Sequence, residues 1–146
     1  MAKILTYASK LDEVDFLASY VLQLGKQLGA EIEFLFTLEI LNYPVGIPVV
    51  AKPNYENPSE ADRKIIREVQ KEVQKRVDEV KKELKGTPPI KISAVPGRAV
   101  TVIDNKTSEG FFDFIVLSGS SDNLYMINER NMDIVKRVQS PVLLIP

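Results

Sequence analysis

The chain has no cysteine, no histidine and no tryptophan among its 146 residues. Without a thiol or an imidazole there is no thiolate nucleophile, no imidazole base, no Ser/His/Asp triad and no ordinary zinc or haem site. Any metal would have to be a hard cation held by oxygens. Disulfide staples are excluded too, and none is needed: one domain of this length, 1–146, buries roughly two-thirds of the surface its unfolded chain exposes. Charge of one sign is also lacking. The formal net charge of -1 provides no general electrostatic reason to bind nucleic acid or acidic lipid. No apolar run approaches the length of a membrane-spanning helix, and MAKILTYASK lacks the apolar core and cleavage site of a signal peptide. The expectation is a cytoplasmic protein with no nucleic-acid or membrane partner.

What is present is an ordinary globular composition, 45% hydrophobic and 27% charged, arranged with alternating periods. Lys3 to Ala8 reads as a short buried strand. Val14, Leu17, Val21, Leu24 and Leu28 then recur at steps of three and four, which places one apolar stripe on a helix, with Gly29 where it would end. Glu31 to Leu38 has the β-branched and aromatic content of a second strand. Between Asn42 and Pro58 the period disappears and four of the nine prolines occur, as in a long surface loop. Asn57, Pro58 and Glu60 are suited to open a helix reaching about Lys85. Its buried face would carry Ile66, Val69, Val73, Val77, Val80 and Leu84, and Glu72 and Arg76 are ordered for an i,i+4 ion pair.

After the break Gly86-Thr87-Pro88-Pro89, a third strand is expected over Ile90 to Val95. Gly97 turns the chain and Ala99 to Thr107 forms a short helix. Phe112 to Ser118 is the most continuously apolar strand. A helix from about Asn128 to Gln139 leads to a fifth strand, Pro141 to Ile145. Apolar strands alternating with helices predict an α/β domain with a mostly parallel, doubly wound sheet. Ligands bind such sheets outside the carboxyl ends of the strands, where strand order reverses. One lip of that crevice is the turn after the first strand, Ala8 to Asp12, and the other is SGSSDN after the fourth. Candidate ligand-binding residues are therefore Ser9, Lys10, Ser118, Gly119, Ser120 and Ser121. Their backbone amides and hydroxyls, with the lysine charge, are the groups an anion needs. The same residues also suit a plain connecting loop, a helix cap and a solvated lysine.

With KILTYAS opening the first strand, VPGRAVTVIDNKTSEGFFDFIVLS before the crevice and KRVQSPVLLIP at the end, the chain resembles the universal stress protein family over essentially its whole length. Gly97, Ile103 and Asp113 fall on typical positions. The resemblance implies a single-domain, three-layer, five-stranded parallel sheet in the order 3-2-1-4-5, of the adenine nucleotide alpha hydrolase-like kind. It also implies a homodimer paired through the last strand, here Val142, Leu143, Leu144 and Ile145. An apolar edge strand favours the same pairing on its own account, and Pro146, lacking a donor, limits how far it extends.

ATP-binding members resemble one another in an Asp after the first strand and in the motif GxxGxxxxxxxxxG, followed by Ser or Thr, after the fourth. At the Asp position this chain has Ser9. Aligned from Asp113, the first motif glycine falls on Ser118, and since Gly119 is the last glycine of the chain the third cannot exist in any register. Motif glycines let backbone amides approach phosphate oxygens without a Cβ in the way. Aligned backward from Pro141, Glu129 takes the place of the hydroxyl residue, and like charges about 4 Å apart repel by about 4 kcal/mol at an effective dielectric near 20. The leading expectation is thus a dimeric regulatory or interaction module of the stress response, with an unknown protein partner, no catalytic residue, no metal and no ordinary ATP cofactor. The alternative is a protein binding ATP, another adenine nucleotide or a small anion through an altered loop after the fourth strand.

Overall fold

Three- and four-residue apolar spacing in the helices, and near-continuous apolar runs in the strands, bury two sides of one sheet. The computed structural model describes residues 2–8, 10–38, 60–118 and 134–145. In chain order the elements are β1 (Ala2–Ala8), α1 (Leu11–Leu28), β2 (Ala30–Leu38), α2 (Glu60–Glu83), β3 (Ile90–Pro96), α3 (Ala99–Glu109), β4 (Phe114–Ser118) and β5 (Val142–Ile145). The five strands form a parallel sheet in the order β3-β2-β1-β4-β5. With helices on both faces, this is the three-layer, doubly wound arrangement expected.

On one face α1 and α2 press Val14, Leu17, Val21, Val69, Val73 and Val77 onto Ile4, Ile32, Phe34, Phe36 and Val116. On the other, Ala99 and Ile103 of α3, with Ile134 from a helical turn at 134–137, cover Leu5, Leu35, Ile115 and Leu117. Each fully buried Leu, Ile, Val or Phe is worth about 1.5–3 kcal/mol. The α2 stripe is the one the spacing predicts; in α1 Val14, Leu17 and Val21 bury as expected, while Leu24 is half-buried and Leu28, 46% exposed, lies outside the core. The Glu72–Arg76 pair also forms, at 3.2 Å, and Arg76 further donates to the Leu11 carbonyl at 3.1 Å, tying α2 to the start of α1.

Glycines end and turn the chain where expected. Gly29 takes up φ 63° as the left-handed cap of α1, a conformation that costs a Cβ-bearing residue energy. Gly97 has φ 139°, and a Cβ there would lie 3.0 Å from Val102 Cγ2.

Several boundaries differ from the sequence expectation. β4 starts at Phe114 rather than Phe112, because Asp113 closes the strand: its N–H donates to the Lys3 carbonyl at 2.9 Å and its Oδ2 accepts from the Lys3 N–H at 2.8 Å. Helix α3 continues to Glu109, with Thr107 and Ser108 hydroxyls donating to carbonyls at Ile103 and Asp104. The last helical turn stops at 137 rather than 139; Pro141 disfavours helical conformation just before it. The expected Pro-rich loop at 42–58 lies outside the described residues.

The two edges of the sheet are finished differently. On β3 the Gln70 side chain, reaching over from α2, donates to the Ile92 carbonyl at 2.8 Å and accepts from the Ala94 N–H. It thereby occupies outward-facing backbone groups of that strand. Among the described residues no side chain does this for β5, and Leu144 on that strand is 54% exposed.

Candidate functional site

The strand order reverses between β1 and β4, since the chain leaves β1 for β2 on one side and returns to β4 on the other. The two strands pair with Thr6 opposite Val116, and the Thr6 hydroxyl donates to the Val116 carbonyl at 2.8 Å in a fully buried clamp. Continuing that register brings Ala8 and Ser118 together at the carboxyl end, where a ligand crevice belongs.

Of the sequence-predicted site residues, Lys10 and Ser118 are described, while Ser9, Gly119, Ser120 and Ser121 lie outside the described residues, as does Glu129. Ser118 ends β4 and pairs with Ile145 of β5. Lys10 is exposed and occupies the cap position of α1, with extended backbone and no side-chain cap. Its carbonyl accepts the Glu13 N–H at 3.2 Å. Lys10 and Ser118 thus sit at the carboxyl ends of neighbouring strands.

The electrostatics of this lip are mixed. The amino end of a helix attracts anions through its unpaired N–H groups and dipole. In α1, Asp12 and Glu13 already supply negative charge to the first turn, which opposes a further anion and leaves Lys10 to counter two carboxylates. The first turn of α3 holds no acid, and Arg98 precedes it.

Sequence reasoning missed Thr37, one residue from the carboxyl end of β2. It is fully buried, pairs in register with Val95, and its hydroxyl has no hydrogen-bond partner among the described residues. A buried hydroxyl without a partner costs about 1–3 kcal/mol, so the position invites a role. The available signal was one polar residue inside the otherwise apolar FLFTL.

A cavity of about 220 Å³ lies at the opposite, amino end of the sheet, with Lys3, Glu31, Glu33 and Lys91 on its walls. It is smaller than the roughly 300–1,000 Å³ of usual ligand pockets. Its acids are engaged, Glu31 with Lys3 at 3.4 Å and Glu33 with Lys106 at 3.1 Å. Among the described residues no cluster of three or more acids is placed to hold a metal ion, and no helix is long and apolar enough to cross a membrane.

No protein-family model matches the sequence, and no curated protein does. Solved structures match along the whole chain. The universal stress protein from Archaeoglobus fulgidus in complex with dAMP is 11% identical, with a TM-score of 0.63, covering 100% of this chain and 98% of its own. The universal stress protein UspA from Lactobacillus plantarum is 13% identical, with a TM-score of 0.62 and coverage of 99% and 97%. A universal stress protein in complex with cAMP is 14% identical, with a TM-score of 0.56 and coverage of 99% and 95%. The fold is that of the universal stress proteins, in agreement with the resemblance carried by Gly97, Ile103 and Asp113.

Proposed function

We propose that this chain, having the universal stress protein fold, works as a cytoplasmic, dimeric regulatory or interaction module of the stress response, without ordinary ATP binding. What supports the proposal is a well-formed five-stranded scaffold on a sequence that departs from the phosphate-binding motif of the family it resembles. Ser9 stands where ATP-binding relatives carry Asp, and no glycine follows Gly119. At the crevice itself, Asp12 and Glu13 oppose an anion at the start of α1. The dimer forms through β5, where Leu144 is exposed on an edge that no described side chain covers. Unpaired strand edges invite pairing with a second chain.

Calorimetric titration with ATP, ADP and AMP tests the proposal. No heat of binding is expected at micromolar nucleotide. Micromolar ATP binding that disappears when residues Ser118 to Ser121 are replaced would sink it.

A second reading is favoured by the dAMP and cAMP complexes of the two similar proteins and by the Thr37 hydroxyl, which has no hydrogen-bond partner among the described residues. It makes the chain a binder of an adenine nucleotide or small anion, with Lys10, Ser118 and the loop residues as contacts and Thr37 as a further donor. Mass spectrometry of small molecules released from the purified protein separates the two readings. A stoichiometric nucleotide selects the second, and its absence, with no thermal shift across a metabolite panel, selects the first.

A further inference from the structure

Thr37 and the start of α3 meet at one corner of the fold. Thr37 pairs in register with Val95, and side chains at paired positions of parallel strands point to the same face of a sheet. That face is the one α3 covers, since Leu35, two residues before Thr37, and Val95 both pack with Ala99 and Ile103. Only Gly97 and Arg98 separate β3 from α3, so the first turn of the helix sits at the carboxyl end of the sheet. The Thr37 hydroxyl, one residue from the carboxyl end of β2, is aimed into the layer where that turn lies.

Both sides of this meeting are incomplete. The Thr37 hydroxyl is fully buried and has no hydrogen-bond partner among the described residues, a state that disfavours the fold until a ligand or water completes it. Valine has the same shape, so what threonine adds at position 37 is a donor. Helix α3 begins with no side-chain cap and no acid in its first turn, whereas α1 carries Asp12 and Glu13 there and α2 carries Glu60 and Asp62. The positive end of its dipole is left uncompensated. Arg98, exposed at the cap position, makes no ion pair among the described residues.

We infer that this corner, over the carboxyl ends of β2 and β3, holds a small oxyanion, either free phosphate or the phosphate group of a nucleotide. The Val100 and Thr101 amides and the Thr37 hydroxyl donate to it, and Arg98 supplies charge. The inference deepens the second reading, on which it rests for a bound anion, and moves that anion from the loop after β4 to the other side of β1. The acid-free start of α3 takes the role that Asp12 and Glu13 deny to α1.

Titration of the full chain with inorganic phosphate, AMP and adenosine, followed by amide NMR spectra, reads the site residue by residue. Phosphate and AMP are expected to move the Val100 and Thr101 amides saturably, and adenosine to leave them in place. Thr37→Val and Arg98→Gln should each weaken phosphate about tenfold. Thr101→Glu, at an exposed first-turn position, gives α3 the negative charge it lacks. It should raise the Tm of the phosphate-free protein and abolish the response to phosphate. Loss of binding with Thr101→Glu but not with Thr37→Val reduces the site to a bare helix end and overturns the inference. So does adenosine moving these amides as AMP does. Phosphate shifts that avoid α3 and vanish with Lys10→Gln or Ser120→Ala overturn this corner while leaving the second reading intact. No response to phosphate or AMP anywhere in the chain overturns both.

Discussion

The two outer strands of the sheet, β3 and β5, present the same problem and meet it differently. An edge strand exposes a row of unpaired N–H and C=O groups that can template the addition of another chain. On β3 the Gln70 amide satisfies a carbonyl at Ile92 and an N–H at Ala94, and the strand carries exposed Lys91. On β5 the described residues supply no such plug, and the exposed side chain is Leu144. One edge plugged and the other, among the described residues, without a plug favours association through β5 over β3. This asymmetry is an argument for β5 as the dimer edge that owes nothing to resemblance.

Substitutions can break the contrast. The largest effect is expected from Leu144→Lys, which puts a charge on the open edge. Its dimer affinity should fall at least a hundredfold, about 2.7 kcal/mol, read as a monomeric mass by light scattering. Next comes Gln70→Leu, which keeps the volume but removes the plug. It should lower unfolding stability by about 1–2 kcal/mol in urea, and open a new association through β3. A Gln70→Leu protein as stable as the native chain and with the same mass in solution would show that the plug is idle.

Two smaller effects sharpen the comparison. Thr37→Val removes a buried hydroxyl with no partner among the described residues and should raise stability by about 1 kcal/mol. A loss of stability, or of a bound small molecule, would instead show that the hydroxyl serves a ligand. Arg76→Met severs the ties to Leu11, Glu72 and Asp15 and should cost about 1 kcal/mol, with no change in oligomeric state. Association altered by Arg76→Met would mean that the α1–α2 flank also takes part in assembly.

The fold was largely legible in the sequence, for reasons visible in particular residues. Val14, Leu17 and Val21 bury as their spacing requires, and Gly29 ends α1 in the left-handed conformation. The residues that carried the resemblance turn out to hold the scaffold. Gly97 makes a positive-φ turn, Ile103 is fully buried, and Asp113 ties the start of β4 to β1. A resemblance resting on such residues reports the fold and says little about the crevice. The candidate site was less legible: only Lys10 and Ser118 of its six residues are described, and Thr37 was passed over because one threonine in an apolar strand reads as ordinary.

The sequence by itself determined which elements form and in what order, because helical and strand periods and glycine turns are local properties of a dozen residues or fewer. It also excluded thiol and imidazole chemistry outright. Only the tertiary structure decided that Gln70 closes β3, that Asp113 and Lys3, 110 residues apart, exchange hydrogen bonds, and that Thr37 has no partner among the described residues. Each depends on which distant segments meet, and that is set by packing two helical layers onto one sheet. The uncharged run on α1 is plain in the sequence, but that Phe16 and Tyr20 face solvent was a matter of which side of the helix met the core.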